Sequence, residues 1–202
     1  MTTAAKHLPA DQRRTLIVET AVELAGEQNP SDVTTGAIAQ RMGLTQPALF
    51  RHFPTKDAIW ASVMEWVADR LVANVERASG SAAQPLDALE AAFMAHVDFV
   101  ARHPGVPRIL LAELQRAEDT AAKRIVQALI RRYGERIRGL VELARERGEV
   151  SPEVDPRAAA TLFIGTIQGL VLSSLLTGRG ARLRADAPGA FAIYRRGIES
   201  RS

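Results

Sequence analysis

Apolar residues recur at every third or fourth position along most of the chain, and charged residues fill the positions between them. This spacing is typical of amphipathic helices, and it differs from the strict alternation of a half-buried β-strand. Glycine, proline and small polar residues interrupt the pattern and mark helix ends. The pattern predicts an all-α protein with nine helices, over about residues 10–27, 35–42, 46–53, 56–78, 86–102, from 107 onward, 120–147, 156–176 and 186–200.

The segment at residues 34–56 reads TTGAIAQRMGLTQPALFRHFPTK and carries the clearest functional signal. It contains two short helices, whose buried positions include Ile38 and Leu49, on either side of a tight turn. Gly43 lies where a helix ends in left-handed backbone, and Pro54 stops the second helix. This spacing is typical of a helix-turn-helix, whose second helix enters the major groove of DNA. The alternative is an αα-corner with a purely structural role in packing a helix bundle.

The exposed side of the predicted recognition helix carries residues suited to reading bases. Gln46 lies at its N-terminal end, and a glutamine amide can bond two groups of adenine at once. Pro47 fits a first helical turn and offers an apolar edge to a thymine methyl group. Arg51 can bond guanine or a phosphate. Thr45, which can cap this helix, and His52 share the exposed side.

Phosphate contacts are expected at the helix ends. Lys56 lies in the first turn of the fourth helix, where the helix dipole disfavours a cation unless a phosphate binds there. Thr55 would add a hydroxyl to this site. At the second helix, Thr34 or Thr35 can cap the N-terminus and offer donors to a phosphate. Such contacts position a protein on DNA without reading the sequence.

Eleven residues of this region give the chain a resemblance to a known family: Thr34, Ile38, Ala39, Gly43, Gln46, Leu49, Phe50, His52, Phe53, Lys56 and Ile59. The chain resembles the TetR family of bacterial transcriptional regulators. The resemblance implies a DNA-binding domain at residues 1–56, with three helices, and a helical domain at 57–202 that binds a small ligand and dimerises. Most family members are repressors released by their ligand. The family commonly has tyrosine where this chain has Phe50, which could instead pack over the sugar edge of DNA or into the domain.

Between Arg157 and Arg179 the sequence has no charged residue, so the predicted eighth helix is apolar on all sides. Such a helix must be buried all round, and a second copy of the chain is expected to cover one side. A membrane span is the alternative, but polar residues interrupt the segment and no other segment competes as a span. The dimer interface is predicted at Leu162, Gly165, Gly169, Leu172, Leu176, Phe191, Tyr194 and Ile198.

The predicted fourth to seventh helices carry apolar side chains with a few polar ones, as the lining of a pocket for a small hydrophobic molecule would. The alternative is an ordinary core. The predicted lining comprises Trp66, Phe93, Met94, His96, Phe99, His103, Leu110, Glu113, Leu114, Tyr133 and Gln168.

Composition excludes several other functions. The chain has no cysteine, which excludes disulfides and thiolate metal sites and fits a cytoplasmic protein. The first residues have no apolar run that could serve as a secretory signal. His96 and His103 would lie about 10.5 Å apart along a helix, too far to share one metal ion. No phosphate-binding glycine loop or nucleophile motif is present, so neither an enzyme nor a cofactor is expected.

These observations favour a homodimeric repressor that binds a pseudo-palindromic double-stranded operator and is released by a small hydrophobic effector. The net charge of +3 adds little support, because the basic groups near the recognition helix matter more than the total. The competing hypothesis is a DNA-binding adaptor of the same fold, whose C-terminal domain holds a protein partner and no small molecule.

Overall fold

The structure is a computed structural model that describes residues 9–178 and 180–200, without the side chains of residues 180 and 181. Apart from one β-bridge between Val150 and Glu199, the regular elements of this part of the chain are α-helices. The prediction of an all-α fold with nine helices is confirmed over these residues. The helices are α1 (Ala10–Glu27), α2 (Thr35–Arg41), α3 (Gln46–Phe50), α4 (Lys56–Gly80), α5 (Pro85–Arg102), α6 (Gly105–Gln115), α7 (Ala121–Glu146), α8 (Pro156–Thr177) and α9 (Gly180–Ile198).

Most helix ends fall within a few residues of their predicted positions, but α3 and α9 differ. α3 ends at Phe50 because the carbonyl of Leu49 accepts from the amides of both His52 and Phe53, which tightens the chain into a turn. α9 begins six residues before the predicted start at 186. Leu183 and Ala187, one turn apart and both buried, anchor the added turns in the core.

The chain divides into two compact units, one from Met1–Asp69 with His103–Ala128 and one from Arg70–Arg102 with Leu129–Ser202. Two of the unit boundaries pass through α4 and α7, and the third lies between α5 and α6. α6 therefore belongs to the same unit as the N-terminal helices, a grouping that helical periodicity alone does not predict. The functional division into residues 1–56 and 57–202 stays a prediction.

Gly105 explains how α6 packs so closely on α1 in the first unit. A Cβ atom added at this glycine would lie 2.0 Å from the carbonyl oxygen of Val22 and 2.8 Å from the amide nitrogen of Gly26. Neither backbone atom can move without shifting α1. α1 and α6 can therefore cross this closely only because residue 105 has no side chain.

The second unit is built around an aromatic cluster. The ring of Phe93 meets those of Phe163 and Phe191 at centroid distances of 5.3 Å, and Tyr194 lies 5.6 Å from Phe163. The hydroxyl of Tyr194 donates to the carbonyl of Ala159 at 3.2 Å. α5, α8 and α9 supply these side chains, so the cluster joins the three helices into one core.

This core corrects part of the predicted dimer interface. Phe191, Tyr194 and Ile198 are buried within the chain itself, with at most 4% of their surface exposed. They are apolar because they fill the space between α9, α5 and α8. They leave no surface for a partner to cover.

α8 is long and apolar enough to cross a membrane by length and composition, and one such helix is weak evidence for a span. Only 22% of an apolar 18-residue stretch of this helix is buried inside the chain. Asp155 caps its start by accepting from the amide of Arg157 at 3.0 Å. Gly178, with φ of 65°, ends it in left-handed backbone. The subunit thus leaves most of an apolar helix uncovered.

Candidate nucleic-acid interface

The turn between α2 and α3 has the predicted geometry. Gly43 has a φ of 67°, in the left-handed region that glycine adopts without strain. The amide of Leu44 donates to the carbonyl of Ala39 at 2.8 Å, which satisfies one carbonyl at the end of α2. Ile38 and Leu49 are fully buried on either side of the turn. The turn and these apolar contacts hold α3 across α2.

Threonine hydroxyls cap the three helices that border this surface. The Oγ1 atom of Thr34 accepts from the amide of Ala37 at 3.0 Å, and Thr55 accepts from Ala58 at 3.1 Å. Thr45 caps α3 with a longer bond of 3.4 Å. Each hydroxyl keeps its own O–H as a donor, because capping uses only an acceptor lone pair. The caps therefore leave donors available to an anion at each helix start.

The first turn of α3 is tied to the first turn of α2. The Nε2 atom of Gln46 donates to the Oγ1 atom of Thr35 at 2.8 Å. Gln46 and Pro47 are both exposed, and Pro47 occupies the first turn, where its missing N–H costs no helical hydrogen bond. The free side-chain oxygen of Gln46 and the ring of Pro47 thus lie on the open surface of α3.

The other end of α3 carries a basic and aromatic surface. Phe50 is 41% exposed, so it is available to a partner rather than packed into the domain. Arg51 is exposed and His52 is half-buried. Burial lowers the pKa of His52 below 6.5, and the charges of Arg13, Arg14 and Arg51 add to this effect. His52 is therefore mainly neutral at pH 7.

Arg14 on α1 contacts the end of α3. Its guanidinium donates to the carbonyl of His52 and lies 4.2 Å from the ring centroid of Phe53. The sequence pattern does not single out Arg14 as a site residue, because the position of α1 beside α3 is a tertiary feature. The only local signal was a pair of adjacent arginines in the first turns of a helix.

The side chain of Lys56 has protein contacts that its sequence position does not predict, and its phosphate contact stays a prediction. Its Nζ atom donates to the carbonyls of Pro30 at 3.2 Å and Ser31 at 3.0 Å, which join the start of α4 to the loop after α1. Burial lowers the pKa of Lys56, while the charges of Asp32 and Asp57 oppose that shift. A phosphate is thus not needed to explain a cation at this helix start, because protein carbonyls already accept hydrogen bonds from the Lys56 ammonium group.

The residues predicted to line a ligand pocket fall into both compact units, and a pocket formed by all of them stays a prediction. In the first unit, Trp66 and His103 pack edge to face at 5.0 Å, and Leu114 is 44% exposed. Glu113 is buried and accepts from Thr120 at 2.8 Å. Leu110 is half-buried.

In the second unit, Phe93 and Phe99 are fully buried core residues, and Met94 is half-buried. The Nδ1 atom of His96 lies 3.1 Å from the hydroxyl oxygen of Tyr133. Burial lowers the pKa of His96 to about 4, so its ring is neutral at pH 7. The imidazole and the phenol therefore form a neutral pair, which suits a packed interior.

Gln168 lies on an open groove between α7 and α8 instead of in that interior. The groove has a volume of about 380 Å³. Ile130 and Ile164 give it an apolar wall, and Arg131 and Arg157 give it charge. Of the residues predicted to line a ligand pocket, only Gln168 contributes to this groove.

The remaining residues predicted for dimerisation lie on the exposed side of α8. Leu162, Leu172 and Leu176 are 56%, 48% and 80% exposed. A Cβ atom added at Gly165 or Gly169 would meet nothing within 4 Å. Because these five residues follow one another at three- and four-residue steps, they form a single apolar stripe. We call this surface the α8 stripe.

Across the residues that the structure describes, no group of three histidine, aspartate or glutamate side chains is arranged to hold a metal ion. The fold gathers exposed polar groups of α2, α3 and the neighbouring helix ends at one surface. This arrangement defines a helix-turn-helix DNA-binding regulator fold.

Comparison with known proteins agrees with this class. Residues 17–63 match the bacterial regulatory proteins of the tetR family, and residues 82–172 match the tetracyclin repressor-like C-terminal domain. Together these matches cover more than half of the chain. The chain belongs to the TetR family.

A curated relative is nucleoid occlusion factor SlmA of Vibrio vulnificus, which is 22% identical over 79% of this chain and 82% of its own length. Two solved structures share the fold. FadR from Bacillus subtilis in complex with stearoyl-CoA has a TM-score of 0.79 at 18% identity, covering 92% of this chain and 99% of its own. AibR in complex with isovaleryl coenzyme A and operator DNA has a TM-score of 0.65 at 22% identity, covering 76% and 83%.

Proposed function

We propose that the chain is a homodimeric, cytoplasmic transcriptional repressor that binds a pseudo-palindromic operator and is released by a small hydrophobic ligand. The observation that carries the proposal is the α2–turn–α3 unit, in which buried Ile38 and Leu49 hold an exposed α3 across α2. This geometry lets α3 project from the surface, as insertion into a major groove requires. No enzymatic activity is part of the proposal.

Base reading is assigned to Gln46 and Pro47 at the start of α3, with Arg51 one turn further on. The oxygen of the Gln46 amide can accept from adenine N6, while its NH2 group has two donors and can donate to adenine N7 and keep its bond to Thr35. Phosphate contacts are assigned to the groups that border α3, which position the protein in register. These groups are Thr34, Thr35, Thr45, His52, Thr55 and Lys56. Phe50, which has no donor for a phosphate, is assigned to the sugar edge of DNA.

Dimerisation is assigned to the α8 stripe. Its exposed leucines and glycines would bring a second α8 close, because a glycine surface allows near approach of helices. A two-fold axis through this contact would give the dimer two recognition helices and an operator with two related half-sites. The apolar character of α8 then serves an interface rather than a membrane span.

Ligand release is supported by the relatives. FadR and AibR are described with acyl-CoA molecules bound, and AibR also with operator DNA. Release would follow if a ligand favours a dimer whose two recognition helices no longer match successive grooves. The hydrophobic effector of this chain would act in that way.

A DNA-binding adaptor is the second candidate. It is favoured by the relatives named nucleoid occlusion factor, whose name refers to no small ligand. The tight packing of Phe93 and Phe99 in the second unit also agrees with a filled core. In this candidate the DNA surface is the same, and a protein replaces the effector.

The test begins with selection of bound duplexes from a random DNA pool by the full chain. The repressor proposal predicts an enriched sequence with two inverted half-sites, and release of the protein from it by a hydrophobic compound. Stearoyl-CoA and isovaleryl-CoA are the first probes. An enriched duplex that no compound in a broad metabolite set releases would favour the adaptor. Absence of any enriched duplex would contradict both candidates.

A further inference from the structure

The groove between α7 and α8 lies within the second compact unit and combines an apolar wall with charged residues. Its volume of about 380 Å³ falls in the range of small-molecule sites, which is about 300–1,000 Å³. Ile130, Ala160 and Ile164 form its apolar part, and Arg131 and Arg157 line it as well. We call this surface the α7–α8 groove.

Two glycines keep the α7–α8 groove open. Gly134 lies in the middle of α7, although glycine is a poor helix former. A Cβ atom there would lie 3.8 Å from the Cδ1 atom of Ile164, which is an ordinary van der Waals distance. A Cβ atom at Gly165 would meet nothing within 4 Å. The packing of the chain therefore does not require either glycine, whereas a longer side chain at these positions would extend into the groove.

The positive charge of the groove is compensated only in part. The guanidinium of Arg138 bonds the carboxylates of Glu135 at 2.5 Å and Glu142 at 2.9 Å. Arg131 and Arg157 are exposed, and neither forms an ion pair with a carboxylate of residues 9–178 or 182–200. Their guanidinium groups keep donors for an oxyanion, whose oxygens such a planar fork can bind in pairs.

We infer that the α7–α8 groove binds an amphipathic oxyanion, a molecule with an aliphatic chain and a terminal carboxylate or phosphate group. The chain would pack on Ile130 and Ile164. The head group would accept hydrogen bonds from the guanidinium groups of Arg131 and Arg157, with the exposed amide of Gln168 as a further donor.

Charge complementarity favours this occupant over two others. A neutral hydrophobic molecule would leave both arginines without an anion. A second copy of α8 would do the same, because the sequence between Arg157 and Arg179 has no charged residue. The groove shares Gly165 with the α8 stripe, so a bound molecule would lie beside the predicted dimer contact. The inference names the chemical class of the effector, and in this respect it rests on the proposed function.

The test is calorimetric titration of the full-length wild type, without DNA, with decanoate and decyl phosphate at concentrations at which both probes are monomeric. We expect saturable binding of at least one probe, and the tighter one identifies the head group. Decanol lacks the charge and acetate lacks the chain, so each should bind at least about tenfold more weakly. Equal affinity for decanol, or no binding of either oxyanion, would overturn the inference.

Two variants test the location of the site. Arg131→Gln/Arg157→Gln should weaken binding of the oxyanion by about tenfold. Arg132→Gln/Arg196→Gln removes two exposed arginines outside the groove and should bind as the wild type does. Gly134→Leu should prevent binding because its side chain would occupy the groove, while α7 stays folded because leucine favours a helix more than glycine does. Wild-type affinity in either folded groove variant would overturn the inference.

The same protein separates this inference from the proposed function, because probe binding is measured without DNA. A wild type that binds neither probe but binds an enriched duplex would overturn the inference and leave DNA binding intact. A wild type that binds a probe in the groove but no duplex would overturn the proposed function alone. Release of the selected duplex by the probe would support its class as that of the effector, and a bound probe that leaves the duplex in place would overturn that assignment.

Discussion

The side-chain amide of Gln46 donates to the hydroxyl of Thr35 across the helix-turn-helix, with 2.8 Å between the two atoms. The bond fixes a side chain at the exposed start of α3 from the first turn of α2. It restricts the rotamers of Gln46 before any partner arrives, so the residue assigned to base reading is already oriented.

Thr35→Val should therefore weaken sequence discrimination. The substitution keeps the shape of the side chain but removes the acceptor, at a cost of about 1 kcal/mol, or roughly fivefold in affinity for the selected duplex. Thr35→Ser keeps the hydroxyl and is the control. The measurement is the ratio of affinities for the selected and a scrambled duplex. An unchanged ratio in Thr35→Val would show that the bond does not orient Gln46 for reading.

Lys56→Ala should lower the stability of the protein. The substitution removes the ammonium that bonds the carbonyls of Pro30 and Ser31, and we expect a loss of about 1 kcal/mol, since the site is partly exposed. The melting temperature should fall by about 2–4 °C. Arg132→Ala, at an exposed position of α7, is the control for loss of one charge. A phosphate contact of Lys56 predicts in addition a uniform loss of affinity for all duplexes, so loss on one operator variant only would contradict that contact.

Gly105→Ala should be strongly destabilising. Its methyl group would overlap the carbonyl of Val22, so α6 must move away from α1, at a cost of about 3 kcal/mol. Gly139→Ala is the matched control, because nothing lies within 4 Å of its added Cβ atom. Alanine in the middle of α7 should stabilise the protein by about 0.5–1 kcal/mol. Urea unfolding measures the free energy of unfolding of both variants. Equal stability of Gly105→Ala and Gly139→Ala would contradict the close crossing of α1 and α6.

Leu162→Arg/Leu172→Arg should convert the dimer into a folded monomer. Both leucines lie on the α8 stripe, and two arginines there would leave charges buried against the partner. Leu114→Arg, at a similarly exposed leucine of α6, is the control and should remain dimeric. Sedimentation at micromolar concentration separates the two species. A monomeric wild-type protein would contradict dimerisation. A dimer that tolerates both arginines would show that the interface lies elsewhere.

DNA affinity should rise several-fold as the pH falls from 8 to 6. Burial and the charges of Arg13, Arg14 and Arg51 hold the pKa of His52 below 6.5 in the free protein, and a nearby phosphate would raise the pKa in the complex. Binding then takes up a proton, so affinity is highest at low pH and declines as the pH rises through the pKa of the complex. One proton limits the change to about tenfold per pH unit.

His52→Gln should flatten this pH profile. His96 does not contribute in this range, because its pKa of about 4 keeps it neutral from pH 6 to 8. A profile that stays equally steep in His52→Gln would assign the proton to another group.

Local signals explain why much of the fold could be predicted from sequence. Gly43 and the threonine caps act within one turn of their own helix, so their spacing alone predicted the helix-turn-helix. The tertiary neighbours could not be predicted in the same way. The carbonyls that bind Lys56 are 25 and 26 residues away, and the partner of Arg14 is 38 residues away.

Apolar residues show the same limit. Phe191 and Leu162 both suit a dimer interface by type and spacing, yet Phe191 is buried in its own subunit and Leu162 is exposed. Periodicity predicts that a residue belongs to an apolar face, but it does not distinguish an internal face from one that meets a partner. The earlier start of α9 was missed for a related reason, since Leu183 and Ala187 gain their stabilisation from other helices.

The most direct measurement is a titration of the purified protein with its selected duplex and with a scrambled duplex of the same length, at about 150 mM salt. A surface that reads bases through α3 predicts at least about a thousandfold tighter binding to the selected duplex. Replacing Gln46 with alanine should reduce that preference by about five- to a hundredfold. Equal affinity of the wild-type protein for both duplexes would contradict sequence-specific DNA binding.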